Sequence, residues 1–296
     1  MESREKRFIR NSFQYYLTPE VIDELLRNPE KLKLGGESKE IVVFFSDIRS
    51  FTTISEGLSP TQLTHLLNEY LTAMTDIIMD HRGVVDKYIG DAVMAFWGAP
   101  ITNPDKAKDA CEAAIKMLHA LGELNVQWEK KGSPRISVGM GINMGDLVVG
   151  NMGSRRRFNY TLMGDEVNFA SRLEGLTKYY HVQCLISESV QKAIAPYPHF
   201  IARMLDDVIV KGKKEPKKIF ELITGSADEK FLRATDLFER GRTHYVHGEW
   251  DAAIDAFQAA IEINNDGPSR TFLERAYELK KNPPSDWKGI YEFTSK

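Results

Sequence analysis

Two aspartates stand out by position. Asp47 closes the continuous apolar run Ile41-Val42-Val43-Phe44-Phe45, with only Ser46 between. That run predicts a buried central strand, because strands covered on both faces read as unbroken hydrophobic segments. A carboxylate at the end of such a strand requires a partner, a hydrogen bond or a metal. Asp91 follows Gly90 in the sharp turn of Lys87-Tyr88-Ile89-Gly90-Asp91, between predicted strands Val84–Ile89 and Ala92–Trp97. Two aspartates meeting at one sheet edge suit two divalent cations, which polarise a phosphoryl group and activate a nucleophilic oxygen. Singly, each reads equally well as a cap or turn residue.

A third cluster lies in the run Asn159-Tyr160-Thr161-Leu162-Met163-Gly164-Asp165-Glu166-Val167-Asn168-Phe169-Ala170-Ser171-Arg172. Gly164-Asp165 predicts a helix start with Asp165 as cap. Asn168 and Arg172 are four apart and share a helix face, with Val167, Ala170, Leu173 and Leu176 mainly on the buried side. An amide beside a guanidinium suits a polar, anionic ligand such as a nucleotide. An ordinary solvated face accounts for the pair if it stands alone.

The elements that must position these residues alternate. After the strand at 41–45, Ser59-Pro60 opens a helix to about Asp80, lined by Leu63, Leu66, Leu67, Tyr70, Leu71 and Met74. The hairpin 84–97 follows, and Asn103-Pro104-Asp105 starts a second long helix. Ile136–Ile142 alternates, and Asp146–Gly150 is its predicted hairpin partner, with Gly139, Gly141, Gly145, Gly150 and Gly153 as hairpin and bulge glycines. The order β-α-β-β-α-β predicts an α+β fold with a ferredoxin-like core, extended by further strands and helices up to Gly225. Residues 226–296 show three helical stretches and no strand signal. There Gly241, Gly248, Ala253, Phe257 and Ala260 match one tetratricopeptide repeat. A single repeat cannot bury its own faces, so it must pack on the main domain, a partner copy or a further segment, with Trp287 as an anchor. Three regions result: an N-terminal segment at 1–38, an α+β domain at 39–225 and a helical segment at 226–296, which the resemblance given next makes a coupling segment, a catalytic domain and a repeat-like appendage.

The clusters together resemble the class III nucleotidyl cyclases. Phe44-Phe45-Ser46-Asp47-Ile48-Arg49-Ser50-Phe51-Thr52 is similar to their first metal motif and Lys87-Tyr88-Ile89-Gly90-Asp91 to their second. Tyr160–Arg172 resembles their nucleoside and transition-state motif, and Val210-Lys211-Gly212-Lys213 their late lysine motif. The resemblance implies that Asp47, Asp91 and the Ile48 carbonyl hold two divalent cations, Mg²⁺ or, in vitro, Mn²⁺. It implies base recognition by Lys87 and Thr161, ribose orientation by Asn168, charge stabilisation by Arg172 and a phosphate contact from Lys211. Guanylyl members carry an acid at the Lys87 position, so the lysine implies ATP and an adenylyl cyclase; Thr161, able to donate or accept, is less selective. The threonine resembles a bacterial, soluble-type subgroup that responds to bicarbonate. A head-to-tail homodimer with sites shared between chains is also implied. Rival readings are a guanylyl cyclase and a silent nucleotide-binding module, but silent copies usually lack a metal aspartate or the arginine, and both are present. A diguanylate cyclase lacks support because the hairpin reads Ile89-Gly90-Asp91.

Composition agrees with a soluble protein. The 296 residues are 42% hydrophobic and carry a net charge of −3, so no basic field points to nucleic acid. Two cysteines, Cys111 and Cys184, form no disulfide framework or zinc cluster, and a reducing, cytoplasmic compartment is expected. Arg4, Lys6, Arg7 and Arg10 form a basic N-terminal cluster of the kind found at the cytosolic exit of a membrane segment, so an upstream sensor or membrane anchor is a further expectation.

Overall fold

The computed structural model describes residues 22, 26–27, 34–209, 215–225 and 227–292. Strand β1 (Gly35–Ile48) leads through the short helix α1 (Phe51–Glu56) to α2 (Pro60–Asp80). Ser59 opens α2 with a capping box: Gln62 N–H donates to its hydroxyl, and its own N–H donates to Gln62 Oε1. The hairpin β2 (Val84–Ile89) and β3 (Ala92–Trp97) leads to α3 (Lys106–Lys130) and β4 (Val138–Ser154). These strands pair antiparallel in the order β2-β3-β1-β4, the ferredoxin-like arrangement the element order predicts. Then come β5 (Arg157–Met163), α4 (Asp165–Tyr179), β6 (Cys184–Ser187), α5 (Glu188–Ile194), β7 (Ala202–Ile209) and β8 (Lys217–Leu222). Strands β6, β8 and β7 extend the sheet beyond β4, and the short β9 (Tyr291–Glu292) closes its edge.

Burial explains why β1 is apolar without alternation. Val42 and Phe44 face α2 and α3, packing with Tyr70, Met74, Trp97, Ala114 and Met117. Ile41 and Val43 face the other way and meet Met94, Phe96, Leu147, Leu162 and Ala170. Both faces are covered, so every residue from Ile41 to Phe44 is fully buried. Cys111 and Cys184 are free thiols within the first of these cores.

Helices α6 (Glu229–Val246), α7 (Trp250–Asn264) and α8 (Gly267–Lys281) pack on the catalytic sheet. Phe238, Tyr245, Phe257 and Phe272 share one core with Phe169, Leu173, Tyr180, Leu205 and Ile219. Of the coverings a lone repeat requires, the fold uses the main domain. The junction is also polar: Arg275 Nη1 lies 2.6 Å from Asp206 Oδ2, with both side chains at most 3% exposed. The Tyr180 hydroxyl donates to the same Asp206 oxygen, and the Thr271 hydroxyl donates to the Tyr179 carbonyl at the end of α4. Trp287 anchors the chain end, donating from Nε1 to the Tyr245 carbonyl and packing edge-on against Tyr245 and Trp250.

Three expectations are corrected. The stretch 138–154 is one 17-residue strand, with no hairpin between Ile142 and Asp146, and its register with β1 is unbroken from Ile48 to Gly35. The glycines in it mark close approach rather than turning. A Cβ at Gly141 would fall within 3.0 Å of backbone atoms of Ala170, Leu173 and Glu174, and one at Gly145 would meet Glu166. Gly150 faces Gly35-Gly36 at the start of β1. Asp165 is not the cap of α4: Gly164, at φ 149°, holds that position, and no side-chain cap bond closes the helix start. Of the N-terminal segment at 1–38, Ile22, Leu26 and Arg27 are described and helical, and β1 already begins at Gly35; the rest up to residue 33 lies outside the described residues.

Candidate active site

The hairpin and β1 bring the two aspartates together. Ser46 pairs with Val93, so the next step along β1 places Asp47 beside the β2–β3 turn, where Gly90 takes φ 67°. The Ile48 N–H donates to Asp91 Oδ2 at 3.2 Å. Burial, then the hydrogen bond and charge of Asp47, push the Asp91 carboxyl up to about 6. Two carboxylates held this close repel until a cation or proton sits between them.

This donor set fits a hard divalent ion. Carboxylate oxygens suit Mg²⁺ and Mn²⁺, which commonly take one or two protein carboxylates and complete their shell with water and substrate phosphate. Among the described residues, no group of three or more His, Cys, Asp or Glu side chains forms a self-contained metal cage.

Beside the aspartates, Arg49 Nη1 reaches Glu174 Oε1 on α4 at 3.1 Å. Burial raises Glu174 to about 7, against the pull of Arg49, while Asp47 and Asp91 add repulsion. This bridge ties the metal-type end of β1 to the helix that carries Asn168 and Arg172. Both of those residues are exposed on α4, four apart. Among the described residues neither makes a hydrogen bond or ion pair, so both face outward and are available to a ligand.

Lys87 and Thr161 meet although 74 residues separate them: Lys87 Nζ donates to Thr161 Oγ1 at 3.1 Å. Strand β5, paired antiparallel with β4, allows this, with Tyr160 packed against Phe96 on β3. A bulge in β2 contributes too. Val85 pairs with Ala95 and Lys87 with Met94, leaving Asp86 as the extra residue. Asp86 therefore joins Lys87 at Thr161 instead of pointing to the opposite face. The Thr161 hydroxyl donates to Asp86 Oδ2, and Lys87 Nζ lies 3.2 Å from Asp86 Oδ1.

The structure thus gathers Asp47 with Asp91, Lys87 with Thr161, and Asn168 with Arg172. No hydrogen bond or ion pair among the described residues links the first pair to the second. Lys211 lies outside the described residues. Asp86, Arg49 and Glu174 are the site neighbours that sequence reading passed over. An acid directly before Lys87 was the available signal for Asp86; the contact between Arg49 and Glu174 spans 125 residues and left none.

This sheet, with a carboxylate pair where β1 meets the β2–β3 turn and a basic–hydroxyl pair between β2 and β5, is that of a nucleotide cyclase catalytic domain. Residues 36–223 match the family described as Adenylate and Guanylate cyclase catalytic domain, and the chain belongs to that family. Residues 234–266 match the tetratricopeptide repeat. The chain is 40% identical over 223 residues to a protein of Anabaena cylindrica named Adenylate cyclase, covering 73% of this chain and 42% of the relative. It is 34% identical over 215 residues to Adenylate cyclase 1 of Rhizobium meliloti, covering 72% and 32%. The chain therefore spans less than half the length of these relatives. Among solved structures, the adenylyl cyclase CyaB from P. aeruginosa superposes with a TM-score of 0.60 at 37% identity, covering 66% of this chain and 99% of that one. The guanylyl cyclase Cya2 gives 0.58 at 36% identity, covering 64% and 94%. Both specificities occur on this fold, so substrate choice must be argued from side chains. No helix among the described residues is long and apolar enough to cross a membrane.

Proposed function

We propose that this chain is an adenylyl cyclase that converts ATP to 3′,5′-cyclic AMP and pyrophosphate. The Lys87–Thr161 pair carries the reading. An ammonium donor matches adenine N1, an acceptor, and opposes the protonated N1 of guanine. The adenylate cyclase relatives support the same choice.

The roles are those the family resemblance implies. Asp47 and Asp91, with the Ile48 carbonyl, hold two divalent cations, Mg²⁺ or Mn²⁺, which when bound favour the 3′-alkoxide and neutralise the triphosphate. Asn168 orients the ribose. Arg172 places a planar guanidinium where charge develops on the α-phosphoryl oxygens. Lys211 steadies the terminal phosphates. The ribose 3′-hydroxyl gives up its proton to solvent, O3′ forms a bond to the α-phosphorus, the bond from that phosphorus to the bridging oxygen breaks, and pyrophosphate leaves with its electron pair.

Membership of the cyclase family supports sites shared in a head-to-tail homodimer, each chain lending Asp47 and Asp91 to one site and Lys87, Thr161, Asn168 and Arg172 to the other. An upstream sensor or membrane anchor fits the basic cluster of Arg4, Lys6, Arg7 and Arg10. The deciding experiment supplies ATP and GTP separately to the purified chain with Mn²⁺. Cyclic AMP from ATP, abolished by Asp47→Ala, is the expected result. Cyclic GMP as the main product refutes the reading of Lys87 and Thr161.

A further inference from the structure

Thr161 alone does not choose between purines, because a hydroxyl both donates and accepts. Its surroundings remove that freedom. The side chain of Asp86 is fully excluded from solvent and takes the Thr161 proton on Oδ2. Lys87 Nζ, a donor with no acceptor capacity, occupies one lone pair of Thr161 Oγ1. One lone pair remains for a ligand, and no proton. Burial raises the Asp86 carboxyl above its ordinary range, and the bonds from Thr161, Lys87 and the Leu162 backbone pull the other way, toward the carboxylate.

We propose that Asp86 is a positioning residue that sets purine choice: by holding the Thr161 proton, it makes that hydroxyl an acceptor toward the base. A 6-amino group donates to the free lone pair. A 6-oxo group meets it acceptor to acceptor, and the base oxygen stays unpaired there in a desolvated site. The β2 bulge is what permits this. In a regular strand Asp86 and Lys87 point to opposite faces, and the two cannot meet one hydroxyl.

The inference rests on the base-reading assignment above, and its test separates the two. kcat/KM is measured for ATP and for GTP, with Mn²⁺, in the wild type, Asp86→Asn, Asp86→Ala, Thr161→Val and Asp86→Asn/Thr161→Val. The isosteric Asp86→Asn decides the matter if Asp86→Ala fails to fold. In Asp86→Ala the hydroxyl is freed, and in Asp86→Asn it faces a neutral amide, either a weaker acceptor or an N–H donor, so in both its proton can turn to a 6-oxo group and the GTP-to-ATP ratio is expected to rise about tenfold. In the Thr161→Val background, Asp86→Asn is expected to leave that ratio unchanged, because the group it acts through is gone. A purely structural role lowers both substrates together and leaves the ratio within twofold; that result overturns the proposal. So does a ratio change of equal size with and without Thr161. A wild-type chain that prefers GTP overturns the ATP reading, and this inference with it. A wild-type preference for ATP with an unchanged ratio in the variants overturns only the role of Asp86.

Discussion

Gly141→Ala tests whether the place of α4 matters to the chemistry. Gly141 sits mid-strand in β4, paired with Phe45 and Leu185, and its other neighbour is the α4 backbone. A methyl there would lie within 3.0 Å of backbone atoms of Ala170, Leu173 and Glu174, where ordinary contact begins at 3.4 Å. None of these atoms belongs to a side chain that can swing away, so α4 itself must move by about 0.5–1 Å. Overpacking of this kind destabilises by about 1–3 kcal/mol, equivalent to a drop of roughly 3–10 °C in Tm for a domain of this size. The catalytic effect is larger than the folding effect. Helix α4 carries Asn168 and Arg172, and a displacement near 1 Å of a positioning element lowers turnover on the order of 100-fold. The assay is cyclic AMP formation at saturating ATP and Mn²⁺, beside a thermal melt. Gly122→Ala on α3 is the control: nothing lies within 4 Å of its Cβ position, so it is expected to gain up to about 1 kcal/mol and keep wild-type turnover. A Gly141→Ala chain with wild-type kcat and a lowered Tm refutes the claim that α4 is held to catalytic tolerance by this contact.

Other outcomes follow from the same structure. The raised Asp91 carboxyl binds its proton more tightly folded than unfolded, so its stabilising effect is full below about pH 4 and is lost as pH rises through about 6. Discounted for solvent screening, the loss is on the order of 1 kcal/mol in the metal-free chain. Mn²⁺ is therefore expected to raise Tm more at pH 7.5 than at pH 5, and an equal rise at both contradicts metal binding by the Asp47–Asp91 pair. Asp47→Ala mixed with Arg172→Ala is expected to recover activity at one of two interfacial sites; no recovery, with heterodimers demonstrated, excludes shared sites. Arg275→Met strands Asp206 in the junction and is expected to destabilise by about 3–5 kcal/mol. Because α6–α8 share a core with the sheet, Trp97 and Trp287 are expected to report one unfolding transition.

Much of this site was legible because chemistry and burial coincide in it. An apolar run that ends in Asp47, and a Gly-Asp turn between two strands, locate a sheet-edge carboxylate pair before any coordinates. The four-residue step from Asn168 to Arg172 fixes a shared helix face. Legibility fails where geometry departs from periodicity. The glycines of β4 carry the same letters as turn glycines, yet they admit α4 and Glu166 against the strand. The bulge at Asp86 adds one residue, and a strict alternation rule sends that side chain to the wrong face. Arg49–Glu174 and Arg275–Asp206 join residues far apart in sequence, and nothing local announces them.

The two cysteines have a practical consequence. Cys111 and Cys184 are fully buried, and burial lifts both thiols above their ordinary range, so neither presents a thiolate at neutral pH. The folded chain thus behaves toward maleimides as though it had no cysteine. A single thiol installed at an exposed position such as Val126 on α3, itself 52% exposed, would be the sole reactive handle. Site-specific fluorophores and spin labels can then be attached without first deleting native residues from a packed core.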